Sequence, residues 1–208
     1  MSDASHPENR PGGSRPPERP GFITQEVQHA QASARVTEKV GRGVFSNGVL
    51  VLQGANEFAL DFVQRMAQPH QVVARVILPP SVLPSMLAAM GDNLRHYQAN
   101  FGPPPPLRTP PPPNPPPSVA EIYEGLKLPE ELLSGVYANA ALISHTQSEF
   151  CFDFITNLYP RSAVSCRVFL SAAQVPGLLH SLTQSFQQYQ QKLGAGPPKP
   201  PPGPAPGK

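Results

Sequence analysis

The sequence has no tryptophan, only two cysteines and few charges. Charged residues make up 14% of it, against about 25% in ordinary soluble domains. Two cysteines cannot supply a disulfide framework. No apolar run approaches the roughly 18 residues of a membrane span. Met1 to Pro7 hold no apolar stretch of the kind a signal peptide needs. Sixteen basic and fourteen acidic side chains leave a net charge of +2, too balanced for a footprint on nucleic acid. The expectation is a cytoplasmic protein with reduced thiols and with neither nucleic acid nor membrane as a partner.

What the chain has in excess is proline, 30 of 208 residues. Five lie in residues 1–22, eleven in 103–117 and seven in 195–208, so 23 of the 30 fall in three segments. Glycine has no period of three, which excludes a collagen. Removing the three segments leaves two blocks of ordinary composition.

Those blocks repeat each other. Gly43-Val44-Phe45-Ser46-Asn47 returns as Gly135-Val136-Tyr137-Ala138-Asn139, and Glu57-Phe58-Ala59-Leu60-Asp61-Phe62 returns as Glu149-Phe150-Cys151-Phe152-Asp153-Phe154. Ala74-Arg75-Val76-Ile77-Leu78 returns as Cys166-Arg167-Val168-Phe169-Leu170. Every match sits at an offset of 92 residues, without a gap from Gly43–Gly102 to Gly135–Gly194, and 17 of the 60 positions are identical. A duplication explains this, and such a repeat governs the architecture.

Within a copy, Phe58, Leu60 and Phe62 alternate with polar or small residues, as in a half-buried strand. Phe150, Phe152 and Phe154 do the same. Val72, Ala74, Val76 and Leu78 share one face of the next strand, with Arg75 on the other. Val49–Leu52 and Ala141–Ile143 read as a preceding strand, closed by the turns Gly54-Ala55-Asn56 and Thr146-Gln147-Ser148. A helix follows, with Leu83, Leu87, Met90, Leu94, Tyr97 and Phe101 along one side. Val175, Leu179, Leu182, Phe186, Tyr189 and Leu193 reproduce that stripe. Pro84 and Pro176 fit a first helical turn, and Gly102 and Gly194 fit a C-terminal stop. The stripe is expected to pack on the helix's own sheet, with pairing of the two helices across a pseudo-twofold seam as the alternative.

The division expected is a Pro/Gln-rich disordered tail over 1–33, a first repeat over 34–102, a polyproline linker over 103–117, a second repeat over 118–194, and a proline-rich tail over 195–208. Ser118-Val119-Ala120-Glu121 has the form of a capping box, opening a short helix to about Lys127. One copy is small for an independent core. The fold class is therefore α+β, two strand–strand–strand–helix repeats forming one pseudo-twofold unit.

The repeat also tests for chemistry. His70, His96, His145 and His180 correspond to Ser162, Gln188, Gln53 and Ala88, so no histidine recurs. Nucleotide-loop, zinc-protease and serine-hydrolase motifs are missing. Neither a catalytic residue, a cofactor nor a metal site is expected. The polar residues that do recur are Asn47/Asn139, Glu57/Glu149, Asp61/Asp153, Arg75/Arg167 and Tyr97/Tyr189. If Phe62 pairs with Val72, Arg75 lies opposite Ala59, diagonally between Glu57 and Asp61, and Arg167 lies between Glu149 and Asp153. Such a cluster is either a cross-strand charge network or the polar face that receives a partner. An arginine that keeps both carboxylates ionised removes the raised pKa a general acid needs.

With Gly135-Val136-Tyr137-Ala138-Asn139, Ser148-Glu149-Phe150-x-Phe152-Asp153-Phe154, Cys166-Arg167-Val168 and the Tyr189-x-x-x-Leu193-Gly194 ending, the chain resembles the bacterial domain-of-unknown-function family number 3467, present as two tandem copies. The resemblance implies a bacterial cytoplasmic protein and no activity. The order of strands then a long helix is also similar to the export chaperone SecB. The functional expectation is a non-enzymatic interaction or assembly module with a protein partner, self-association included. The alternatives are a SecB-like holdase binding apolar segments between helix and sheet, and an enzyme with one asymmetric site.

Overall fold

A computed structural model of the chain describes residues 34–107, 114–158 and 160–194. The expected tails, and the middle of the polyproline linker, lie outside the described residues. The first copy comprises α1 (Glu38–Gly41), β1 (Val44–Ser46), β2 (Gly48–Gln53), β3 (Phe58–Gln64), β4 (His70–Leu78) and α2 (Leu83–Phe101). The second comprises α3 (Val119–Glu124), β5 (Leu126–Lys127), β6 (Val136–Tyr137), β7 (Ala140–His145), β8 (Glu149–Thr156), β9 (Ala163–Ser171) and α4 (Val175–Gly194).

Each copy folds its middle three strands into an antiparallel meander, β2-β3-β4 and β7-β8-β9. The alternating aromatic and aliphatic positions drive this, because Phe58, Leu60, Phe62, Val72, Val76 and Leu78 are all fully buried. Burying each such side chain contributes about 1.5–3 kcal/mol. Ser118 caps α3 as a capping box, its Oγ accepting from the Glu121 N–H at 3.2 Å while Glu121 Oε2 accepts from the Ser118 N–H at 2.7 Å. The helix stops at Glu124 rather than near Lys127, because Leu126 and Lys127 leave it to form β5 beside β4.

The first strand of each copy does not join its own meander. β1 adds in parallel to β9, with Val44 opposite Val168, and β6 adds in parallel to β4, with Val136 opposite Val76. The arms before these strands follow the same course. Arg35 bridges Ala163, and Lys127 pairs with Gln71, positions that correspond under the repeat. The two copies thus exchange their N-terminal arms. Each arm crosses back to its own meander at one asparagine, Asn47 or Asn139.

The helices are exchanged as well. α2 lies against β7 and α4 against β2, and the two helices also touch each other. Tyr97 of α2 meets Phe150 of β8 at 5.4 Å between ring centroids, and Tyr189 of α4 meets Phe58 of β3 at 5.6 Å. This corrects the expectation that each helix covers its own sheet. The reason lies in where the helices start: β4 and β9 contact each other at the middle of the molecule, and a tight turn, Pro80–Val82 or Ala172–Gln174, launches each helix from there toward the other sheet. The buried line on each helix includes Met86 and Leu178, corresponding positions outside the expected stripe, while Phe101 and Leu193 at its end are exposed.

Candidate functional site

The recurring aspartate and arginine form one paired contact per copy. Arg75 donates from Nε to Asp61 Oδ1 at 2.7 Å and from Nη2 to Oδ2 at 2.6 Å. Arg167 does the same to Asp153, at 2.6 and 2.7 Å. Both oxygens of each carboxylate are engaged, the fork geometry that makes arginine–carboxylate pairs strong. The hydrogen bonds they donate to the carboxylates hold both guanidinium groups above their ordinary pKa.

The register differs from the expected one. Asp61 stands directly opposite Arg75, and Asp153 opposite Arg167, because Val72 pairs with Val63 and Val164 with Ile155, one step from the expected register, and a bulge after Phe62 and after Phe154 adds the second step. Val73 and Ser165 are the extra residues on the bulged strands. Glu57 and Glu149 are consequently not part of the cluster. Glu57 is exposed and accepts from the Asn56 N–H at 3.2 Å, while Glu149 accepts from Thr146 Oγ1 at 3.1 Å. Both serve the hairpin turns.

Each arginine also holds the arm of the other copy. Arg75 Nη1 donates to the Leu133 carbonyl at 3.1 Å, and Arg167 Nη1 donates to the Gly41 carbonyl at 3.4 Å. Leu133 and Gly41 correspond under the repeat. Two residues later, Gly135 and Gly43 adopt φ +65°, and a Cβ on either would overlap the sheet it approaches. Glycine is required there both for the backbone and for the close approach.

The two pairs differ in cover. Asp61 is fully buried, because Tyr123 of α3 closes over it and donates its hydroxyl to Asp61 Oδ2. Arg75 Nη2 in turn donates to the Tyr123 oxygen at 3.2 Å. Burial pushes the Tyr123 hydroxyl up to about 12. The residue corresponding to Tyr123 is Gln31, which lies outside the described residues. Nothing in the repeat signals the role of Tyr123, because its counterpart is a glutamine.

Asn47 and Asn139 fix the crossovers. Asn47 Oδ1 accepts from the Arg65 N–H at 2.8 Å, and Asn139 Oδ1 accepts from the Asn157 N–H at 2.7 Å. Their side chains extend the strand ladder where the chain changes sheet. Tyr97 donates its hydroxyl to the Gln147 carbonyl at 2.8 Å, tying α2 to the β7–β8 turn. Tyr189 occupies the same place on α4, where Ala55 replaces Gln147.

Both cysteines are free. Cys166 packs at the edge of the core, where burial pushes its thiol up to about 11. Cys151 lies on the outer face, opposite Phe169 and with Sγ 3.8 Å from Asp153 Oδ1. Burial raises its pKa as well. Among the described residues, no three His, Cys, Asp or Glu side chains are grouped closely enough to hold a metal ion, and no helix is long and apolar enough to cross a membrane.

Comparison with curated proteins and with solved structures returns no match. The sequence profile of one family does match, over residues 7–104 and again over 113–195. The two matched stretches correspond to the two intertwined copies, each with its arm, meander and helix. The chain belongs to the family described as protein of unknown function (DUF3467), and carries its domain twice.

Proposed function

We propose that this protein is a non-enzymatic assembly module that pairs through the open edges of its two sheets. The observation that carries this is the chemistry of β2 and β7. Each is six residues long, and each has a hydrogen-bonded strand on one side only among the described residues. Neither Gly48-Val-Leu-Val-Leu-Gln53 nor Ala140-Ala-Leu-Ile-Ser-His145 contains a proline, a lysine or any Asp, Glu or Arg. Proteins that remain monomeric usually blunt an edge with such residues. Leu142 of β7 is 61% exposed on the outer face. An added strand would satisfy the edge's backbone groups and cover that leucine.

The closed core supports this reading over a holdase. A holdase that grips apolar segments between helix and sheet needs an open seam there. Those seams are filled by Met86, Met90, Leu178 and Leu182, all buried. Catalysis is not proposed, since both recurring aspartates are engaged by arginines.

Sedimentation velocity over a wide concentration range tests the proposal. The wild-type chain is expected to rise in mass above its 22.4 kDa monomer, and Leu142→Lys is expected to suppress the rise. A wild-type chain that stays monomeric at every concentration sinks edge pairing between copies. A Leu142→Lys variant that assembles normally places the interface elsewhere.

A further inference from the structure

Each helix ends over the hairpin turn of the opposite meander, leaving a cleft beside it. The cleft at the end of α2 has a volume of about 450 Å³ and is lined by Tyr97, Phe101 and Gln147 together with Pro103 and Pro105 of the linker. The cleft at the end of α4 has a volume of about 430 Å³ and is lined by Gln53, Gly54, Ala55, Tyr189, Lys192 and Leu193. The repeat relates the two: Tyr189 corresponds to Tyr97, Leu193 to Phe101 and Ala55 to Gln147.

The difference is the proline wall. After α2, Gly102 turns the chain at φ +81° and the next residues line the first cleft. After α4 the described chain stops at Gly194, and no proline lines the second cleft among the described residues. Leu193, at its mouth, is 64% exposed. Tyr97 in the first cleft is only 3% exposed, whereas Tyr189 is half-buried. The repeat register continues past the helix and puts Pro197 at the position of Pro105. Only Ala195 and Gly196 separate Gly194 from Pro197. Three extended steps reach roughly 10 Å, enough to return to a cleft that begins at Leu193.

We propose that the Tyr189 cleft is a polyproline site and that its occupant is the chain's own C-terminal segment beginning at Pro197. Proline-rich segments dock on aromatic-lined grooves because their extended conformation is already formed and little entropy is lost. Seven prolines follow Gly194, so the segment has this character along its length. A segment seated in the cleft covers Leu193 and the exposed part of Tyr189.

Proton NMR of the full chain, with Tyr and Pro selectively labelled, tests this. Cross-peaks between the Tyr189 ring and Pro197 are expected, and Pro197→Gly with Pro198→Gly should abolish them and move the Tyr189 ring resonances. Leu193→Ser, an exposed change that leaves the core intact, should weaken the same cross-peaks. Tyr189 without a contact to any proline, or a ring signal indifferent to these substitutions, overturns the proposal. Mixing differently labelled chains decides the source: cross-peaks that arise only between chains make a second copy the occupant and overturn it too.

Discussion

Phe62 and Phe154 hold the same position in the two copies, and their rings meet across the pseudo-twofold with centroids 5.6 Å apart. Both are fully buried. They join the two meanders where arms and helices have already been exchanged, so neither copy has a core of its own. Phe154→Ala is expected to cost about 3–5 kcal/mol. The double variant with Phe62→Ala should cost less than the sum of the singles, since each has lost the other's partner. Urea unfolding should show one transition for the whole chain, and two separate transitions would refute the shared core.

Removing Arg75 leaves Asp61 buried without its counter-charge. Arg75→Ala should cost about 3–5 kcal/mol, as breaking a buried pair does. Arg167→Ala should cost less, because the Asp153 side chain is 11% exposed whereas that of Asp61 is inaccessible. Replacing both members, Asp61→Leu with Arg75→Met, should recover much of the loss. Denaturation midpoints of the three variants check the ranking, and equal costs at the two arginines would contradict it.

Tyr123 provides a pH handle. Its hydroxyl is raised from 10.0 to about 12 in the folded chain. Its contribution is therefore complete below pH 10 and is lost as pH rises toward 12, because the unfolded chain gives up the proton first. The stability difference between wild type and Tyr123→Phe should shrink across that window. A difference that stays constant to pH 12 would place the hydroxyl outside the Asp61 pocket.

The arm glycines should tolerate no side chain. A Cβ at Gly43 would lie 2.5 Å from the Phe169 ring, and one at Gly135 would lie 2.8 Å from Arg75 Cγ. Gly43→Ala and Gly135→Ala combine this overlap with a positive φ, and each should cost more than the roughly 1 kcal/mol of an ordinary glycine replacement where φ is positive. Gly177→Ala in α4 meets nothing within 4 Å and should stabilise by about 0.5–1 kcal/mol. Thermal melts of the three variants should move in opposite directions.

The thiols should react in order. Cys151, on the outer face, is expected to label first on folded protein under non-reducing conditions. Cys166 should label only on unfolding, or as pH approaches its raised value of about 11. Simultaneous labelling at neutral pH would contradict the opposite facing of the two strand positions.

The linear sequence determined the local elements and their duplication. The alternation at Phe58, Leu60 and Phe62 can satisfy only a strand with one buried face, and the spacing of Leu83, Met90 and Tyr97 only a helix. The recurrence at a constant offset tied the two sets together, and the pairing of Arg75 and Arg167 with strand carboxylates followed from alternation. Neither the bulge after Phe62 nor the point where the hairpin closes was legible, because one extra residue on β4 leaves the composition of both strands unchanged; closing Val63 rather than Phe62 on Val72 supplies one step and the bulge a second, and together they moved Arg75 from Ala59 to Asp61 and released Glu57. Only the tertiary structure decided which copy each element serves. β1 and β6 are too short to show a period, and an apolar stripe specifies a buried face without specifying what buries it. The strands that launch the helices meet at the centre of the molecule, so each helix runs outward over the other meander, and the two copies become one core.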